Sequence, residues 1–201
     1  MEDYYLWILA GGVGAILLVL LSYMGFFSKM ACNAEETDEM ILAYTNIEAP
    51  YAEMEKQSIE LRKKLKEVLN DESIIGKGVN VYYDDPRFSP EVARWAVGYM
   101  VPESVLDILA LNSISYVRIP AGKCLVVKFP YRNVFSYGLG ARKAFDTMVQ
   151  TANAKSIVIN TPPMVVYGDE LTAIRYILYL NHADIIHSMC DSPFDVLSAS
   201  M

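Results

Sequence analysis

Val79-Asn80-Val81-Tyr82-Tyr83-Asp84-Asp85-Pro86 is the stretch from which the fold reads outward. Four of its first five residues are β-branched or aromatic, types that fit a pleated, half-buried surface. Asp84-Asp85-Pro86 then closes the strand with turn chemistry. Residues 93–101, apolar on both faces, read as a second strand. Upstream, Pro50 opens a helical pattern in which Met54, Leu61, Leu65, Val68 and Leu69 fall on one face and charges cover the other. Gly76 and Gly78 punctuate its end. Ahead of it, Met40-Ile41-Leu42-Ala43-Tyr44 forms a first strand. The unit is strand, long helix, strand, strand.

The second half repeats that order. A short helix over 104–111, with Ser104 as N-cap, and a strand over 115–119 lead to the turn Pro120-Ala121-Gly122. Residues 123–129 are a strand. A helix over 133–151 buries Phe135, Leu139, Phe145, Met148 and Val149. Residues 156–159, 164–167 and 171–180 are extended, with Gly168-Asp169 as a tight turn between the last two. The expected architecture is therefore α+β: two strand-helix-strand-strand units in one domain over 38–180. Two helices cover one sheet face and the other face is left as a concave groove.

Outside this domain the chain changes character. Residues 4–28 carry no charge, and about 20 apolar residues at ~1.5 Å rise span the ~30 Å hydrocarbon layer. Tyr4, Tyr5 and Trp7 at one end, and Tyr23, Phe26 and Phe27 at the other, match an interfacial belt. Glu2 and Asp3 precede the run and Lys29 follows it, the reverse of a cleaved signal peptide. The expectation is a single-pass anchor over 4–28, residues 1–3 lumenal, a linker over 29–37 and a cytosolic domain. Residues 181–201 are small and polar and read as a flexible tail.

Composition removes several function classes. The net charge of −7, from 17 basic and 24 acidic side chains, gives no pull toward nucleic acid. Cys32, Cys124 and Cys190 are odd in number and widely spaced, which argues against a disulfide framework or a zinc site. No nucleophile elbow, phosphate-binding glycine loop or zinc signature is present, so no enzyme is expected. His182 and His187 read as solvated histidines rather than haem ligands, and no cofactor is expected. What remains is binding. Tyr82, Trp95, Tyr99, Tyr167 and Tyr176 are placed to line a groove, with Glu170 or Asp169 nearby; the alternative for the same residues is core aromatics beside a turn carboxylate.

The string Val81-Tyr82-Tyr83-Asp84-Asp85-Pro86, followed by Arg94-Trp95-Ala96-Val97-Gly98, resembles the gyrase-inhibitor-like domains, and Ile119-Pro120-Ala121, Phe129-Pro130-Tyr131 and Ala141-Arg142-Lys143 continue the likeness. That family has a duplicated strand-helix-strand-strand fold, used in bacteria as a small-molecule sensor in which an acidic side chain in an aromatic groove can hold cationic ligands. Together with the leader, residues 79–168 resemble the testis-expressed ER-phagy receptor family. The resemblance implies a single-pass endoplasmic-reticulum protein with a cytosolic domain, a possible presence at the nuclear envelope and autophagosome, ubiquitin-like autophagy modifiers as partners, and a link to the p97 unfoldase. The family's long acidic tail is missing here.

Within the short tail, Asp191-Ser192-Pro193-Phe194-Asp195-Val196-Leu197 has an aromatic residue, two spacers and an aliphatic residue among acids. It resembles the peptides that bind autophagy modifiers by strand addition. Phe194 and Leu197 would be the hooks, with Asp195 and Val196 between them. Phe194 and Leu197 lie about 10 Å apart when extended, and phosphorylated Ser192 would add negative charge.

Overall fold

The computed structural model describes residues 2–23, 26, 27, 29–85, 87, 91–132, 135–168 and 173–190. Eight strands form one antiparallel sheet: β1 (Cys32–Thr37), β2 (Met40–Ala49), β3 (Gly78–Tyr82), β4 (Ala93–Met100), β5 (Ser115–Ile119), β6 (Gly122–Pro130), β7 (Met164–Tyr167) and β8 (Ala173–Tyr179), in the order β1-β6-β8-β7-β3-β4-β2-β5. The helices are α1 (Glu2–Tyr23), α2 (Met54–Leu69), α3 (Leu106–Leu111), α4 (Phe135–Ala154) and α5 (Ala183–His187). The architecture is α+β.

The duplication is visible in the topology. One unit is β2-α2-β3-β4, laid side by side as β2-β4-β3; the other is β6-α4-β7-β8, laid as β6-β8-β7. They meet where β3 pairs antiparallel with β7. Two further strands join the ends. β1 leads directly into β2 yet pairs with β6, and β5 leads directly into β6 yet pairs with β2. Thr37 faces Gly122, and Met40 faces Ile119. No residue is gained or lost across the bend at Asp38-Glu39 and Pro120-Ala121. The two long strands therefore form one continuous ladder whose halves belong to opposite ends of the sheet, and the sheet must curl for both to hold.

Alternation of side chains gives the sheet two packed faces. On one face α2 and α3 lie over Ala93, Trp95, Val97 and Tyr99 of β4, and α4 lies over Leu125, Val127 and Phe129 of β6 and Ile174, Tyr176 and Leu178 of β8. The expected apolar stripe of α2 is buried at Leu61, Leu65 and Leu69, each worth roughly 1.5–3 kcal/mol. Asn70 ends the helix in the left-handed conformation (φ 53°), its N–H donating to Lys66 O, a conformation Asn tolerates. The opposite face is filled rather than left as a groove: Leu42, Val79, Val81, Tyr83, Cys124, Val126, Ile177 and Tyr179 pack there against Ile186 of α5 and Met189.

Several expectations change. Residues 32–37 form β1 rather than linker, because their backbone completes the ladder to β6. Residues 156–159 are not a strand. The start of the expected tail is structured, with Ile186 and Met189 buried. The membrane anchor is corrected as well: among the described residues no helix is long and apolar enough to cross a membrane. The aromatics at the end of the leader meet cations of the domain: Arg132 lies 5.7 Å from the Tyr23 ring centre, and Lys143 lies 5.6 Å from that of Phe26 and donates to Phe26 O. The single-pass span over 4–28 and the endoplasmic-reticulum, nuclear-envelope and autophagosomal addresses built on it do not stand.

Candidate functional site

The helix-bearing face carries a concentration of tyrosines between α2 and α4. Strand pairing sets it up: Tyr99, Gly78 and Tyr167 stand opposite one another on β4, β3 and β7. Glycine in the middle of that row is required by space. A Cβ at Gly78 would lie 2.4 Å from Tyr167 Cε2 and 2.5 Å from its Cζ, so the Tyr167 ring lies across the glycine. The hydroxyls of Tyr99 and Tyr167 converge on Ser58 of α2, each 2.8 Å from its Oγ. Tyr167 Oη also lies 3.2 Å from Asn80 Oδ1, and Asn80 Nδ2 donates to the Met54 thioether at 2.9 Å. Tyr82 Oη donates to the same sulfur at 3.5 Å.

Around this polar centre three ring pairs pack edge to face, an arrangement the ring quadrupole favours, and Tyr51 is tilted on Tyr82. Tyr82 and Phe145 are 5.5 Å apart, Phe145 and Tyr176 5.6 Å, Tyr51 and Tyr82 5.4 Å, and Tyr137 and Tyr167 6.0 Å. Gly140 of α4 leaves room for the Tyr176 hydroxyl, which donates to Tyr137 O at 3.2 Å. Tyr137, 37% exposed, and Tyr131 bring the cluster to the surface. Burial holds the phenol pKa values of Tyr51, Tyr82, Tyr167 and Tyr176 well above the ordinary tyrosine range, so these hydroxyls stay protonated.

At the rim, Asp84 is gripped by Arg94, whose Nη2 donates to Oδ1 at 2.5 Å and whose backbone N–H donates to Oδ2 at 2.7 Å. Burial pushes the Asp84 carboxyl up, but Arg94 pulls it further down, to a net value below the usual carboxylate range. Asp85 makes a fork with Arg87, with Nη2 to Oδ2 at 2.5 Å. Tyr51 Oη donates to Asp84 O at 2.8 Å and ties the start of α2 to this rim.

Of the residues expected to line a groove, Tyr82, Tyr99 and Tyr176 are buried side chains of the core, as the alternative reading has them. Tyr82, Tyr99, Tyr167 and Tyr176 all point to the helix-bearing face. Trp95 points the same way but is fully buried under the β2–α2 connection, its Nε1 donating to Ala49 O at 3.0 Å; it is core. Glu170 and Asp169 lie outside the described residues, as do Phe194, Asp195, Val196 and Leu197. Sequence reasoning missed Ser58, Asn80, Met54, Tyr51 and Tyr137. Ser58 carried a signal: a hydroxyl in the apolar stripe between Met54 and Leu61. Neither histidine is a bare solvated side chain. His182 Nε2 lies 3.1 Å from Ala121 O, and His187 Nε2 lies 2.7 Å from Asn160 O. Among the described residues no cluster of three metal-ligating side chains occurs.

No family model matches the chain, and no curated protein matches it. Solved structures do. The chain is similar to the C-terminal domain of EcmrR, with 12% identity over 75% of this chain and 96% of that one and a TM-score of 0.55. It is similar to EcmrR in its complex with DNA, with 11% identity, coverage of 88% and 67%, and a TM-score of 0.53. A hydrolase from Listeria innocua aligns with 12% identity, coverage of 77% and 94%, and a TM-score of 0.51. At these identities the likeness is one of fold: a curled α+β sheet with helices over it.

Proposed function

We propose that this chain is a non-catalytic binding module of the gyrase-inhibitor-like kind, whose tyrosine seam between α2 and α4 takes a small, flat aromatic molecule, including organic cations. The observation that carries this reading is the row Tyr99–Gly78–Tyr167 beneath Ser58. It sets hydroxyls and ring faces into a layer that an ordinary helix–sheet contact fills with aliphatic groups. Tyrosine faces attract cations and stack on flat rings. The rim carboxylates Asp84 and Asp85 already hold Arg94 and Arg87, so ring faces supply the main attraction among the described groups. The duplicated topology and the solved structures of like fold support the family reading.

The test is titration of a fluorescent aromatic cation and its neutral isostere into the full chain. Saturable binding weakened about tenfold or more by Tyr137→Ala/Tyr167→Ala, equivalent to ~1.4 kcal/mol, supports the seam. No saturable binding, or equal binding by the variant, removes it. The neutral isostere shows whether charge contributes.

A second reading rests on sequence: Phe194-Asp195-Val196-Leu197 as a strand-adding peptide for a ubiquitin-like modifier. Calorimetric titration of a peptide covering 188–201, beside a Phe194→Ala/Leu197→Ala control, tests it. Binding lost in the control supports an adaptor; no binding, even with Ser192 phosphorylated, discards it.

A further inference from the structure

Two donors of the tyrosine seam end on a weak acceptor. Asn80 Nδ2 donates to the Met54 thioether at 2.9 Å, and Tyr82 Oη donates to the same sulfur at 3.5 Å. A thioether accepts hydrogen bonds poorly. Asn80 and Tyr82 are 7% and 9% exposed, so water has little access to make up the difference. A buried donor without a full-strength partner costs free energy. Elsewhere in the seam oxygen meets oxygen. The hydroxyls of Tyr99 and Tyr167 reach Ser58 Oγ, and Tyr167 also reaches Asn80 Oδ1. That last contact fixes the amide: with Oδ1 turned to Tyr167, Nδ2 is the end that faces Met54.

The sulfur is also the part of the seam most able to leave. Met54 is the first residue of α2, half-buried, and packs against both the cluster under α2 and the cluster under α4. Its side chain is unbranched and flexible. Swung toward solvent, it vacates a position next to the Tyr82 and Tyr51 rings, which stand 5.4 Å apart. Asn80 Nδ2 and Tyr82 Oη then face one empty point. A carbonyl oxygen, with two lone pairs, can accept from both. A carboxylate loses far more hydration on entering such a layer, so the fitting acceptor is neutral.

We propose that the seam selects flat aromatic molecules that carry a neutral carbonyl oxygen, and that this oxygen displaces the Met54 thioether to accept hydrogen bonds from Asn80 Nδ2 and Tyr82 Oη. The inference rests on the reading of the seam as a binding site. It goes beyond that reading by naming the polar group of the ligand and the two side chains that recognise it.

Fluorenone and fluorene test it, flat tricyclic molecules of nearly the same outline that differ in one carbonyl. Each is titrated into the full chain by ligand-observed NMR. Partition alone favours fluorene, the less polar of the two. The expected result is fluorenone bound about tenfold tighter, from two hydrogen bonds of ordinary net strength. In Tyr82→Phe, which keeps the ring and removes one donor, the preference falls to about threefold or less. In Met54→Ala, where no side chain has to be displaced, fluorenone binds about threefold tighter or more than to the wild type. Equal binding of the two probes by the wild type overturns the proposal and leaves the seam standing as an apolar site. So does a preference undiminished in Tyr82→Phe, or fluorenone binding that Met54→Ala leaves unchanged or weakens. Saturable binding of neither probe removes the seam itself, and this inference with it.

Discussion

Replacing Gly78 by alanine puts the tyrosine row under direct strain. The new Cβ would stand 2.4 Å from Tyr167 Cε2, 2.5 Å from Cζ and 2.9 Å from the hydroxyl. The ring cannot simply lift away. Ser58 and Asn80 hold its hydroxyl, and the Tyr137 ring stands edge-on to it at 6.0 Å. Overpacking of this kind costs about 1–3 kcal/mol. A displaced ring also loses hydrogen bonds worth a net ~1 kcal/mol each and leaves Asn80 Oδ1 without that donor. Gly78→Ala is therefore expected to destabilise the domain by about 2–4 kcal/mol. Urea unfolding of the wild type, Gly78→Ala, Tyr167→Ala and the double variant forms a thermodynamic cycle. Once Tyr167 is truncated the clash is gone, so Gly78→Ala should cost under ~1 kcal/mol there, a coupling of ~1–3 kcal/mol. If Gly78→Ala is within about 0.5 kcal/mol of wild type, or costs the same in both backgrounds, the ring does not lie across the glycine and the reasoning fails.

Alkali should unfold the protein steeply. Folded-state pKa values of Tyr51, Tyr82, Tyr167 and Tyr176 are raised, so their contribution is present below the unfolded value near 10 and is lost as pH climbs above it, by up to ~1.4 kcal/mol per pH unit per phenol. Urea midpoints between pH 9 and 12 check this, and Tyr82→Phe should flatten the slope. Acid acts through Asp84. Its folded pKa is lowered, so its contribution is present above the unfolded value near 3.9 and is lost as pH falls below that. Asp84→Asn should be less stable than wild type at neutral pH and lose less on acidification, as read by thermal unfolding from pH 6 to 2. Gly140→Ala would set a Cβ 2.5 Å from the Tyr176 hydroxyl and 2.8 Å from Phe129 Cδ1; it should cost about 1–3 kcal/mol despite alanine's better helix propensity, measured by the same urea assay.

The repeat of strand, helix, strand, strand was legible because both long helices carry an apolar stripe and β4 is apolar on both faces. β1 was not legible. Cys-Asn-Ala-Glu-Glu-Thr has no strand pattern, and its conformation comes from the ladder to β6, 85 or more residues away. Residues 156–159 failed in the opposite sense, since Ile157 and Ile159 pack against the α4 cluster without any strand pairing. The aromatic residues were legible only as a set: Tyr82, Trp95, Tyr99 and Tyr176 share one sheet face as buried side chains, with Trp95 and Tyr99 in the same cluster under α2. The polar centre was not legible, because Ser58 and Asn80 acquire meaning only when β3 and α2 are stacked. In the leader, an uncharged run was taken as a membrane span, whereas Tyr23 at the end of α1 lies beside Arg132 and Phe26 beside Lys143.

The bent ladder that joins the two ends of the sheet also sets the order in which the molecule can be assembled. Cys32 pairs with Val127, 95 residues further on, and Tyr44 with Ser115. During synthesis, β1 must wait while nearly a hundred residues are added at ~5–20 per second, several seconds with both edges unpaired. Such long-range closure is the slow step of β-rich folding. A chain cut anywhere before residue 122 lacks all of β6, the strand that pairs with β1, so truncated products should remain open-edged and be cleared or aggregate rather than accumulate as half-domains.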